Sequence, residues 1–72
     1  MPSNAKQLGE LLARFSQYRE AGNVASASAL VDGIVRQVEA VRQEDGMTPM
    51  TRTETNRLAS NYRRLAMRRD HE

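Results

Sequence analysis

Apolar residues return at helical spacing along most of this chain. Between Asn23 and Gly46, Val24, Ala27, Val31, Ile34, Val38 and Val41 recur at steps of three, four, three, four and three, an unbroken seam on one side of a helix. A helix of about twenty residues carrying such a seam needs a surface to lie against. That is a packing instruction and carries no chemistry. An earlier apolar face consists of Leu8, Leu11, Leu12, Phe15 and Tyr18, and a later one of Leu58, Tyr62 and Leu65, with Ala59 and Ala66 on its flank. No stretch alternates with period two, so the pattern predicts no strand and an all-α fold.

The residues between the seams supply the punctuation. The first helix is predicted over about 4–21, opening after Ser3 or Asn4, where Asn4 and Gln7 have capping-box spacing, and stopping at Gly22. Asn23 is the expected N-cap of a second helix over about 24–44, which ends at the turn pair Asp45-Gly46. Pro49 breaks the helical pattern in Met47-Thr48-Pro49-Met50, and Thr51 with Glu54 forms a capping box for a third helix over about 51–69. The joint at Gly22-Asn23 is too short for anything but an antiparallel hairpin. The third helix either folds back on that hairpin or reaches another chain.

Leu11, Tyr18, Gly22, Ala27 and Val31 fall where a tetratricopeptide unit has its aromatic, tyrosine, glycine, alanine and aromatic positions. Arg14 and Phe15 replace the leucine and glycine of that pattern, and no second copy follows at a spacing of about 34 residues. The segment therefore reads as a generic helical hairpin.

Length narrows the picture. The 72 residues make a single small helical domain, 1–72, and eighteen large apolar or aromatic side chains past Met1 are a thin supply for its core. Self-association would relieve that shortage, and the expected assembly is a homodimeric bundle. A row of small residues on the second helix, Ala25, Ala29 and Gly33, lies away from the valine seam and would let another backbone approach closely. Such packing would also explain Gly33, which in mid-helix costs about 1 kcal/mol relative to alanine. The expected partner or dimer interface therefore comprises Ala25, Ala29, Val31, Gly33, Ile34, Val38 and Val41 on the second helix with Leu58, Tyr62 and Leu65 on the third.

Charge adds an asymmetry. Residues 1–50 carry five basic side chains against six acidic ones, whereas residues 51–69 carry six arginines against Glu54 alone. The positive field is local to the third helix, although the whole chain is only +2. At 100° per residue, Arg57, Arg64 and Arg68 fall within about 40° of one another on one side of the apolar stripe, while Arg52 and Arg63 line the other. Guanidinium forks suit phosphate, and they suit acidic protein surfaces equally.

The ingredients of catalysis are missing from the pattern. The chain has no cysteine, and its one histidine, His71, sits in the terminal Asp-His-Glu, which argues against a zinc site, a triad or a thiolate nucleophile. The four glycines are scattered and form no phosphate-cradling loop. Pairs such as Glu10 with Arg14 and Asp32 with Arg36 have the spacing of helix solubilisers. No catalytic residue, cofactor or metal is expected. A cysteine-free chain with no membrane-spanning run and no basic-then-apolar start is expected in the cytoplasm.

The function expected from the sequence is that of a small non-enzymatic regulatory or inhibitory module, binding a partner protein through apolar helical faces rimmed by arginines. The alternative is a nucleic-acid-binding accessory or repressor that lays Arg52, Arg57, Arg63, Arg64 and Arg68 on phosphates.

Overall fold

The computed structural model of the chain describes residues 3–68, which hold three α-helices and no strand. These are α1 (Asn4–Glu20), α2 (Val24–Glu44) and α3 (Arg52–Met67). Each boundary has a local chemical cause. Ser3 caps α1, its hydroxyl accepting from the Lys6 N–H at 3.1 Å. Asn4 is therefore already inside the helix, and its side chain serves another purpose: it donates to Glu44 and accepts from the Gln37 amide at the far end of α2. The Asn4–Gln7 capping box is thus replaced by a tie between the first turn of α1 and the last turns of α2.

Both hairpin bends use the same device. Gly22 and Gly46 have φ of 73° and 72°, the left-handed conformation that lets the chain leave a helix sharply. At the first bend the Asn23 N–H reaches back to Tyr18 O at 2.8 Å and the Gly22 N–H to Arg19 O at 3.0 Å. At the second, the Met47 N–H bonds Arg42 O at 2.9 Å and the Gly46 N–H bonds Gln43 O at 3.1 Å. These are two Schellman motifs, and they satisfy the carbonyls that a helix end would otherwise leave orphaned. Asn23 caps α2 through the Ser26 N–H, and Thr51 and Glu54 cap α3 reciprocally.

The third helix folds back within the chain. It packs along α2 and meets α1 at the hairpin end, where the Phe15 and Tyr62 rings touch and Arg19 Nε donates to Leu65 O at 2.8 Å. The core consists of Phe15, Ala27, Val31, Ile34, Val35, Ala59 and Ala66, with Leu8, Leu11, Leu12, Leu30, Val38, Leu58 and Tyr62 half-buried around it. Val31 and Ile34 have no exposed surface. Their place in an interface with another molecule is thereby corrected: the middle of the α2 seam is buried within the chain's own core, whereas Val24 at its start is exposed.

A second correction concerns the rotation of α3. The pattern put Leu58, Tyr62 and Leu65 at the centre of the buried face and Ala59 and Ala66 on its flank. Ala59 and Ala66 are instead the buried residues, and Leu65 is 37% exposed. Small side chains at a contact let two helix backbones approach closely, and Ala59 and Ala66 share one buried cluster with Val31, Ile34 and Val35 of α2 and Phe15 of α1. The leucine stripe is left along the edge.

Candidate interaction surface on the second and third helices

The displaced stripe defines the candidate site. At the hairpin end it is closed by α1, through the Tyr62–Phe15 contact. Towards the start of α3 it opens into a groove of about 380 Å³ lined by Val38 and Arg42 of α2, Met50 of the α2–α3 loop, and Glu54, Arg57, Leu58 and Asn61 of α3. No residue of α1 lines it. Val38 and Leu58 are half-buried there, the part of the seam that the first helix leaves uncovered.

Loop 45–51 is held in place by Arg42 of the groove and by its neighbour Glu39 on α2. The Glu39 carboxylate accepts from the Met50 N–H at 3.1 and 3.4 Å, and Arg42 Nη2 donates to Thr48 O at 2.7 Å. Arg42 Nε is shielded from solvent without a hydrogen-bond partner, Glu39 Oε2 standing 3.8 Å away. Glu54 is the acidic residue in the groove lining. The Thr51 N–H and then the Thr51 hydroxyl hold its carboxyl below the ordinary value of 4.5, and the positive charges of Arg42 and Arg57 act in the same direction. Its acceptor Oε1 is turned to the Thr51 N–H at 2.9 Å. Both carboxylates therefore spend acceptor capacity on backbone amides.

The arginines divide into two groups. Arg57 and Arg64 are exposed and share the outer face of α3 beside the leucine stripe, whereas Arg68, expected on the same face, is the exposed C-cap in extended conformation, just past the helix end. Arg63 points the other way and pairs with Asp32 of α2 at 3.3 Å, in an exposed contact. Arg52 is exposed at the first position of α3, away from the groove lining. The expected second basic rim is thus broken up, whereas Arg57 and Arg64 stand next to half-exposed apolar surface.

The small-residue row also resolves. Ala25 and Ala29 are exposed, but Gly33 is half-buried beside α1, and a Cβ built on it would lie 3.9 Å from Leu11 Cδ1, ordinary contact. The hairpin does not need a glycine at that position. Val41 is half-buried on the α2 seam.

Three groove residues, Arg42, Met50 and Asn61, were not singled out by the pattern. Arg42 had a readable signal: it follows Val38 by four and Val35 by seven, so it interrupts the apolar face of α2 with a cation. Met50 owes its place to the loop path, which no periodicity encodes.

Among the described residues, no cluster of three or more His, Cys, Asp or Glu side chains is placed to hold a metal, and no helix is long and apolar enough to cross a membrane. Arg69 and His71 lie outside the described residues. No protein-family model, curated protein or solved structure matches this chain.

Proposed function

We propose that this chain is a small non-enzymatic module that regulates or inhibits a partner protein by binding it through the groove between α2 and α3. One observation carries the reading. The groove lies where Val38 of the α2 seam and Leu58 of the α3 stripe are half-buried with no α1 residue lining it, it is bordered by Arg57, and Arg64 follows two turns on along the same helix. Apolar surface flanked by arginine is the composition of protein interface centres, where aromatic, methionine and arginine side chains are enriched. Self-association belongs to the same reading, with Val24, Ala25 and Ala29 forming an exposed strip at the start of α2. The proposed setting is the cytoplasm.

The arginine row also favours a second reading, in which Arg57, Arg64 and Arg68 lie along the phosphates of a nucleic acid. Light scattering on a sizing column separates the two. The chain is run at low and high salt, alone and with a short mixed-sequence DNA duplex. A complex with the duplex that dissolves as salt rises, and that Arg57→Ala with Arg64→Ala abolishes, would replace the protein-binding reading with the nucleic-acid one. An elution unchanged by the duplex supports a protein partner, to be sought by photo-crosslinking from position 61 with the same double variant as the control.

A further inference from the structure

We infer that a second copy of this chain lies across the mouth between α1 and α3, the two mouths meeting about a two-fold axis. The geometry starts at the hairpin end, where α1 and α3 meet through Phe15 with Tyr62 and through Arg19 Nε with Leu65 O. Leu12 and Leu8 stand seven and eleven residues before Arg19, and Leu58 seven before Leu65, so each shares its helix face with the residue that makes that contact. Further from the bend the mouth is open, and no α1 residue lines the groove over Val38 and Leu58. Leu8, Leu12, Val38 and Leu58 pack against the core yet are only half-buried, and Leu65 is 37% exposed. The size of the open face fits a second copy. The chain exposes 5220 Å², roughly 700 Å² more than the about 4500 Å² of a compact monomer of 8.1 kDa. Its radius of gyration is 12.7 Å, where compact packing of 72 residues gives about 11 Å. A standard interface takes about 800 Å² from each partner, close to that surplus. The charges on the rim suit the same occupant. A two-fold interface sets a face against itself, so a rim of one sign would repel its own copy. Here Glu54 stands beside Arg57 on α3, and Glu39 pairs with Arg42 behind them, so Arg57 of each copy can meet Glu54 of the other. Beside Leu12, α1 offers the exposed and uncharged Ala5, Gly9 and Ser16. The inference goes beyond the protein-binding reading and shares Val38 and Leu58 with it, so self-association and partner binding exclude one another.

Sedimentation equilibrium of the full chain, from micromolar to millimolar concentration, is expected to show a reversible dimer with twice the 8.1 kDa of the chain. Gly9→Arg adds length and charge at a helical position with nothing within 4 Å of a built Cβ. Circular dichroism should therefore show the helices unchanged, while the dimer weakens by at least about tenfold. Val24→Glu, on the exposed strip at the start of α2, should change the dimer affinity less than about threefold. In a mixture of 13C-labelled and unlabelled chains, NOEs between copies should link methyl groups of Leu8, Leu12, Val38 and Leu58. A monomer throughout the concentration range, a dimer indifferent to Gly9→Arg, or a dimer without those NOEs would each overturn the inference. A dimer lost on Val24→Glu instead would overturn it by moving the contact to the start of α2. None of these results touches the protein-binding reading, which the duplex on the sizing column tests separately.

Discussion

The edge of one ring of the Phe15–Tyr62 pair meets the face of the other, with centroids 5.5 Å apart and planes at 86°, so the buried aromatic of α1 is locked to the middle of α3. Phe15 is 3% exposed, and the Arg19 guanidinium lies 6.0 Å from its ring centroid while Arg19 Nε holds Leu65 O. A single turn of α1 thus contacts both its own hairpin and the helix that closes it.

Removing that ring should be the most damaging single truncation in the chain. Phe15→Ala is expected to cost about 3–5 kcal/mol, most of the stability that so small a domain commands. Tyr62→Leu, which keeps apolar bulk and loses the edge-to-face geometry, should cost about 0.5–1.5 kcal/mol. Urea unfolding followed by circular dichroism reads both. A Phe15→Ala protein as stable as one carrying a surface change such as Arg14→Ala would show that α1 and α3 are not joined here.

The four glycines separate cleanly by backbone conformation. Gly22 and Gly46 have positive φ, where an added Cβ meets its own carbonyl, so Gly22→Ala and Gly46→Ala should each destabilise by about 1–2 kcal/mol. Gly9 and Gly33 are helical, with nothing within 4 Å of a built Cβ at Gly9 and only Leu11 Cδ1 at 3.9 Å from the one at Gly33. Alanine at either should raise stability by up to about 1 kcal/mol. A loss at Gly33→Ala would mean that a second backbone approaches α2 there, as the small-residue row first suggested.

Glu54 gives the start of α3 a pH dependence. Its carboxyl is held below the ordinary value of 4.5 by the Thr51 N–H and hydroxyl, so the folded state favours the ionised form. A depressed folded value contributes stability that is fully present above the unfolded value and is lost as pH falls through the folded one. The melting temperature should therefore decline below about pH 4.5, and Glu54→Gln should flatten that part of the decline. Carboxyl titration by NMR should place Glu54 below the ordinary value of 4.5.

Legibility followed the range of the interactions involved. Asn23, Thr51 with Glu54, Gly22 and Gly46 announced the helix ends because a cap or a left-handed bend is satisfied within a few residues. Asn4 misled because its partners, Glu44 and Gln37, are distant in sequence and compete for the same side chain. Of the candidate surface, Val38, Leu58 and Arg57 were visible as seam and rim, whereas Met50 depended on the path that Glu39 and Arg42 impose on the loop. Val31 and Ile34 carried the strongest signal, and the strength of that signal marked the middle of the core rather than a docking face.

The rotation of α3 is where pattern and packing part, and two neighbouring residues decide between them. A helix read only by hydrophobicity turns Leu65 inward and leaves Ala66 at the edge. The fold does the opposite, with Ala66 at 2% exposure and Leu65 at 37%. Ala66 is buried in the core cluster, so Ala66→Leu should overpack it at a cost of about 1–3 kcal/mol. Leu65→Ala, which removes surface already partly in water, should cost less than the about 2–5 kcal/mol of a fully buried leucine. If the order of the two effects were reversed in urea unfolding, α3 would be turned towards its leucine stripe and Leu58 would be withdrawn from the groove.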